Sequence, residues 1–321
     1  MNRDVRIAGV GMIPFAKPGA SDSYDAMGAK AIRAALDDAG VSYADVGQVY
    51  AGFVYGDSCS GQRAAYEVGM TGMPVVNVNN NCSTGSTALF LARQAVMSGA
   101  TDCALAVGFE QMRPGALGLV FPDRPSPFER FDAATDELVQ AEGVPFALRY
   151  FGGAGLAHMR QYGTKLATFA KIRAKASRHA ANNPLALFRN VVTEEDVLAS
   201  PAIWPGVMTR LMACPPTCGA AAAIVCTPAF AQRRGIDARV AIRAQAMTTD
   251  RPATFEARDM REVVGYGMAK EAARQVYESA GVGPDDVDVV ELHDCFAHNE
   301  LISYEALGLC PEGGAERFVD D

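Results

Sequence analysis

No stretch of the 321-residue chain approaches the roughly 20 uninterrupted apolar residues of a membrane-spanning helix, so a helical integral membrane protein is excluded. A Gly-Lys-Ser/Thr loop is absent, and Gly9-Val10-Gly11 lacks the third glycine of a dinucleotide fingerprint, so neither nucleotide cradle is indicated. Cys214 and Cys218 have zinc-like separation, but no second pair or histidine cluster accompanies them, and no metal site is expected. Basic residues are outnumbered, 29 Lys and Arg against 37 Asp and Glu, and the net charge of -8 argues against a general nucleic-acid binder. The opening residues, MNRDVRIAGVGMIPF, form no basic-then-apolar leader, and Arg317-Phe318-Val319-Asp320-Asp321 is no peroxisomal address. A cytoplasmic protein with its eight cysteines reduced is therefore expected. What remains is globular: 49% hydrophobic and 21% charged residues, with a length suited to about two domains.

Acidic residues are missing from one long window. Between Glu142 and Glu194 there is none, while Arg149, Arg160, Lys165, Lys171, Arg173, Lys175, Arg178 and Arg189 all fall there. A polyanionic small ligand, such as the phosphates of a nucleotide-like cofactor, is one reading; a solvated helical face is the other.

The chain contains a repeat. Residues 27–52 realign without a gap on 268–293 at an offset of 241, matching Met27 with Met268, Arg33 with Arg274, Gly40 with Gly281, Asp45 with Asp286 and Val49 with Val290. Both copies read as an amphipathic helix closed by glycine, a short acidic turn and a buried apolar strand. Strands are expected over 5–9, 49–53, 75–80, 103–107 and 240–246, with helices over 24–39 and 83–98. Helices are also expected up to His179 and from Pro228 through Arg234. This alternation implies α/β architecture with largely parallel strands. By the offset, the partner of Cys82 falls just beyond Asp321, so the second half is expected to be incomplete.

Cys82 is the leading chemical candidate. It follows an apolar strand and three asparagines and opens Ser83-Thr84-Gly85-Ser86 and an apolar helix. A thiol in a helix's first turn meets unpaired N–H groups and the dipole, which lower its pKa toward a neutral-pH thiolate. A buried structural cysteine is the competing reading. The second constellation, Glu291-Leu292-His293-Asp294-Cys295-Phe296, closes the apolar segment of the second repeat, where open α/β sheets place their sites. His293 offers a donor and Cys295 a second thiol, while Asp294 is expected to cap the next helix. His158, His179 and His298 are expected at surface or loop positions, and Cys103, Cys214 and Cys226 in the core.

These segments together resemble the thiolase superfamily, and more narrowly the sterol carrier protein X type thiolases. The resemblance runs the whole chain. It is carried by Gly56-Asp57-Ser58-Cys59-Ser60-Gly61-Gln62-Arg63, Asn79-Asn80-Asn81-Cys82-Ser83-Thr84-Gly85-Ser86, Gly219-Ala220-Ala221-Ala222-Ala223, Glu291-Leu292-His293-Asp294-Cys295-Phe296 and Tyr304-Glu305-Ala306-Leu307-Gly308. It implies duplicated βαβαβ halves in a layered α-β-α-β-α arrangement. The expected organisation is an N-terminal half over 1–112 and 210–235, an inserted loop domain over 113–209, and an incomplete C-terminal half over 236–321.

The implied activity is thiolytic cleavage, or reverse Claisen synthesis, of 3-oxoacyl-CoA, with coenzyme A as co-substrate and no bound cofactor. By this resemblance Cys82 attacks the 3-keto carbon, and acetyl-CoA or propanoyl-CoA leaves. His293 stands where other thiolases carry Asn and holds the thioester oxygen, and Cys295 trades the α-carbon proton. The basic window coincides with the loop domain that binds CoA phosphates, making Lys171, Arg173, Lys175 and Arg178 the phosphate candidates. Two departures stand out: Cys218 replaces the usual Asp before the Gly-Ala run, and the Gly-His-Pro motif whose His deprotonates the nucleophile is absent. An impaired, C-terminally truncated thiolase is the resulting expectation. A steroid side-chain retro-aldolase with a small OB-fold partner and a non-catalytic acyl-CoA or lipid binder are the alternatives. A homodimer is expected, with no nucleic acid and no membrane span.

Overall fold

Strands and helices alternate along the chain in a computed structural model that describes residues 4–114 and 118–321. The first residues of the leader reading and residues 115–117, at the start of the expected inserted passage, lie outside the described residues. The strands are β1 (Arg6–Met12), β2 (Gln48–Gly52), β3 (Val75–Val78), β4 (Cys103–Glu110), β5 (Ala202–Trp204), β6 (Met208–Thr209), β7 (Gly219–Cys226) and β8 (Val240–Ala241). The helices begin with α1 (Tyr24–Ala39), α2 (Ser60–Tyr66), α3 (Thr84–Ser98), α4 (Glu129–Leu138), α5 (Phe146–Tyr162), α6 (Leu166–Ala181) and α7 (Glu194–Ala199). They continue with α8 (Pro228–Arg234), α9 (Ala253–Glu256), α10 (Met260–Val263), α11 (Tyr266–Ala280), α12 (Ala297–Ala306) and α13 (Ala315–Asp320).

The described residues form two compact units. One draws on 4–114, 185–187 and 216–247, the other on 118–184, 188–215 and 248–321. In the first, a sheet of order β3-β2-β4-β7-β1-β8 carries the core. The parallel pairing implied by the alternation holds for β3-β2-β4, while β7 runs antiparallel to both β4 and β1, and β8 antiparallel to β1. The expected strand over 240–246 shortens to the two residues that find partners on β1.

Glycine lets α1 lie on β1. A Cβ on Gly11 would stand 2.3 Å from the Ala31 carbonyl oxygen and 2.4 Å from the Ala35 nitrogen, and one on Gly9 2.4 Å from the Ala39 nitrogen. The small residues facing them, Ala31, Ala35 and Ala39, are buried at 4% exposure or less. Close approach of two backbones needs small side chains on both, and here the sequence supplies them.

The second unit is helical, with β5-β6 its one sheet among the described residues. Its core gathers Phe169, Met208, Met212, Leu301 and Ile302. Two histidines expected at the surface are fully buried here instead. His158 is held through Nδ1 by Thr164 Oγ1 at 2.7 Å and through Nε2 by Glu305 Oε1 at 2.9 Å. His298 donates Nε2–H to the Val207 carbonyl at 2.8 Å and stacks on Phe169, ring centroids 4.1 Å apart. His158 has both ring nitrogens answered and His298 has one, its Nδ1 being buried without a partner; local spacing does not reveal such partners from distant segments.

The repeat is structural up to a point. In both copies the helix ends at a left-handed glycine, Gly40 at φ 65° and Gly281 at φ 70°. Each is followed by a single 3-10 turn at the same offset, Tyr43–Asp45 and Pro284–Asp286. The strand is where the copies part. β2 is paired on both sides by β3 and β4, whereas 287–292 forms no strand, and Val289 is 84% exposed. The expected second-copy strand is thus corrected: caps and turns form from local bonds, but a strand needs neighbours to pair with.

Two outcomes follow. Gly11→Ala is expected to lower unfolding free energy in urea by about 1–3 kcal/mol or more, because a methyl meets fixed backbone. The second concerns His298, whose pKa burial pushes down to about 4 from 6.5. A buried neutral imidazole binds fewer protons than the unfolded one, so its stabilising contribution is present above pH 6.5 and fades as pH falls toward 4. Wild type should lose up to roughly 1.4 kcal/mol per pH unit across that window, and His298→Gln should lose markedly less, as read by chemical denaturation at each pH.

Candidate active site

Cys82 lies on the turn that joins β3 to α3. Asn81, just before it, takes a left-handed backbone, φ 49°, a conformation asparagine tolerates better than most residues. The turn is tied by the side chains that follow: Ser83 Oγ donates to the Asn80 carbonyl at 2.8 Å and Thr84 Oγ1 to the Asn81 carbonyl at 2.6 Å. The Asn80 amide donates to Thr84 Oγ1 at 2.8 Å, and Asn80 Nδ2 to Thr87 Oγ1 at 3.0 Å. This accounts for the hydroxyl-rich run after the cysteine.

Cys82 stands two residues ahead of Thr84, one residue before the N-cap Ser83, and not within the helix's first turn as the sequence implied. The amides of Ser83 and Thr84 already donate to the Asn80 and Asn81 carbonyls, both at 3.1 Å. The side chain is solvent-accessible, yet the protein packed around it pushes the thiol up from 9.0, opposed by its own backbone amide. The expected lowering of the Cys82 pKa toward a neutral-pH thiolate is therefore corrected: the protein packed around the thiol raises it instead.

Two neighbours escaped the sequence reading. Glu110, at the carboxyl end of β4, accepts from the amides of Val54 at 2.9 Å and Tyr55 at 3.1 Å, and burial raises its pKa. Tyr55, held by those bonds, is close enough to Cys82 for the thiolate's charge to oppose its ionisation. The rule that sites gather at strand carboxyl ends would have pointed to Glu110.

His293 and Cys295 belong to the other unit. The His293 carbonyl accepts from Asn299 Nδ2 at 2.6 Å. Its imidazole sits lowered from 6.5 by the protein around it, with Asp294 pulling the other way, so a neutral ring is favoured near neutrality. Cys295 is half-buried, and its carbonyl accepts from the Cys214 amide at 2.9 Å. Asp294 does not cap α12, whose N-cap is Phe296; instead its charge acts on Arg173, which burial otherwise lowers. Cys103 and Cys226 are core thiols as expected, but Cys214 is exposed. Cys218, at the departure from the family pattern, is buried with Sγ 3.5 Å from the Met112 carbonyl.

The basic window meets acid within its own unit. Lys165 pairs with Glu316 at 3.1 Å, Lys171 with Asp320, Lys175 with Glu300, and Arg149 with Asp132 and Asp136. Of the four phosphate candidates, Lys171 and Lys175 are thus engaged, Arg173 faces Asp294, and Arg178 is exposed. Among the described residues no cluster of His, Cys, Asp and Glu could hold a metal, and no helix is long and apolar enough to cross a membrane.

Residues 5–117 match the family model "Thiolase, N-terminal domain" and residues 251–321 match "Thiolase C-terminal domain-like". The chain belongs to the thiolase family. It is 48% identical over 99% of its length to "Sterol carrier protein 2" of Homo sapiens, covering 59% of that protein, so it spans about three fifths of such relatives. It is 39% identical over 98% of its length to "Non-specific lipid-transfer protein-like 2" of Caenorhabditis elegans, covering 78% of it. It is also 31% identical over 99% of its length to "Acetyl-CoA acetyltransferase" of Methanothermobacter thermautotrophicus, covering 81%. Among solved structures, "Ltp2-ChsH2(DUF35) aldolase" matches with TM-score 0.81 at 23% identity, covering 99% of this chain and 80% of that one, a likeness of fold.

Because surrounding protein holds the Cys82 thiol up, its alkylation by iodoacetamide is expected to keep accelerating beyond pH 9, followed by peptide mass spectrometry. A plateau already at pH 7 would contradict the resting thiol.

Proposed function

We propose that the chain is the catalytic part of a 3-oxoacyl-CoA thiolase acting on lipid-derived or sterol side-chain acyl-CoA. The observation that carries this reading is the accessible Cys82 on a turn fixed by Asn80, Asn81, Ser83 and Thr84. Cys82 sulfur, as thiolate, adds to the 3-keto carbon, and the bond between C2 and C3 breaks. The electron pair passes to the departing acyl-CoA as an enolate, whose thioester oxygen accepts a hydrogen bond from neutral His293. Cys295 donates the proton to the α-carbon. Free CoA gives its thiol proton to the Cys295 thiolate and attacks the Cys82 thioester as thiolate, releasing the shortened acyl-CoA and returning Cys82 as thiolate.

Since the resting thiol is held up, the thiolate forms when substrate is in place, its proton passing to solvent. Tyr55 is the titratable neighbour on Cys82's side, but with its own pKa raised it is no base at neutral pH. CoA phosphates are taken by Arg173 and Arg178, together with Lys171 and Lys175 once their carboxylate partners yield. A homodimer in the cytoplasm is part of the same reading. Retention of Cys82, His293 and Cys295 together favours thiolysis over retro-aldol cleavage and over non-catalytic binding.

Incubation with a 3-oxoacyl-CoA in the absence of CoA should add one acyl group to Cys82, read by mass spectrometry of the intact protein and its peptides. Cys82→Ala should carry no adduct and lose turnover by about a thousandfold or more. A wild-type protein that consumes the substrate without ever showing the adduct sinks the proposal.

A further inference from the structure

Cys214 and Cys295 are set opposite each other by strand register. Ala213 and Phe296 form an antiparallel bridge, and the Cys214 amide donates to the Cys295 carbonyl at 2.9 Å. One step outward from that bridge, Cys214 and Cys295 are the next facing pair. Facing residues of an antiparallel pair put their side chains on the same side. One amide-to-carbonyl bond joins them, and facing antiparallel residues stand about 4.5–5.5 Å apart at Cα, inside the range a disulfide spans. Solvent reaches both: Cys214 is exposed and Cys295 half-buried.

The molecule holds a second facing pair as a contrast. Cys103 and Cys226 are partners in the β4-β7 register, but they are 1% and 0% exposed, so no oxidant reaches them.

We propose that Cys214 and Cys295 are a modification site, a cross-strand thiol pair that closes to a disulfide when the protein meets a small-molecule disulfide of the glutathione type. The thiolate of Cys214, the more open of the two, attacks one sulfur of that disulfide. It forms a mixed disulfide and expels one small thiolate. Cys295, as thiolate, then attacks the Cys214 sulfur and expels the second. Two protein thiols are oxidised to one disulfide, the reagent is reduced to two thiols, and the two protons given up by the cysteines end on those thiols. Facing Cβ atoms about 4.5–5.5 Å apart must draw together to bond, which leaves the bridge strained and easily reduced. Closing it removes Cys295 as a proton donor. That consequence rests on the function proposed above; the bridge itself does not.

The test is therefore chemical. The full chain is incubated with glutathione disulfide, remaining thiols are alkylated, and a tryptic digest is mapped without reduction. The expected product joins peptides 211–233 and 275–317 with loss of two hydrogens, and fragment ions place the link at Cys214 and Cys295. Cys103 and Cys226 stay reduced, Cys214→Ser yields no link, and a dithiol reverses the link in the wild type. A link that runs instead through Cys218, Cys310 or Cys82 overturns the proposal. So does separate glutathionylation of Cys214 and Cys295 with no link. None of these readouts depends on turnover, so a protein inactive as a thiolase still decides the matter.

Discussion

Gly52 has no side chain, and α3 begins where one would be. A Cβ there would stand 2.8 Å from Thr84 Cγ2 and 2.9 Å from the Thr84 carbonyl oxygen. The start of α3 therefore presses on the end of β2, and the turn between β3 and α3 has little room to wander. Asn81 takes a left-handed conformation in this tight entry, and the hydroxyls and amides of Ser83 and Thr84 both donate to the Asn80 and Asn81 carbonyls. The accessibility of Cys82 follows from this arrangement: the chain reverses ahead of the helix, and the residue at the reversal points outward. A glycine on one strand thus sets the position of a cysteine 30 residues later.

The helical unit uses a different principle. Around Glu305 and Arg261, polar groups are buried in matched sets. Glu305 Oε1 answers His158 Nε2 and also accepts from the amides of Gly313 at 2.9 Å and Ala315 at 3.2 Å. Arg261, 5% exposed, is ringed by Asp259, Tyr162 and Glu312, and its guanidinium lies 5.2 Å from the centre of the Tyr162 ring. Such networks specify one arrangement, since each member left alone would be a buried polar group without a partner. They also draw residues near position 310 into the packing of α5, which explains why the segment Tyr304-Glu305-Ala306-Leu307-Gly308 is so particular in composition.

Much of this was legible in the sequence, and the reason is locality. Helix α1 begins and ends at the residues its apolar spacing and Gly40 indicate, and the repeat's second glycine and acidic turn land at the same offset. Cys82 and the His293 loop were singled out by local patterns as well, a strand-then-turn for the first and an expected strand end for the second. What the sequence withheld is pairing over distance. The apolar run 287–292 reads like β2 but finds no neighbours. His158 and His298 look like surface residues until Glu305 and Val207 are brought beside them. Asp294 reads as a cap but instead meets Arg173. The thiol at position 82 reads as acidic because the amides near it look unclaimed, although Asn80 and Asn81 have claimed two of them.

The acid-free window looked like an attractive field for a polyanion because only one stretch of chain was in view. Folded, helix α6 faces the carboxylates of Glu300, Glu316 and Asp320, and the three lysines of the window are each paired with one of them. A phosphate approaching α6 is consequently not drawn in from far away; it competes, at contact range, with carboxylates already seated. On the proposed reading, each lysine a phosphate wins would first have to be surrendered by one of them, which ties phosphate capture to the packing of α12 and α13.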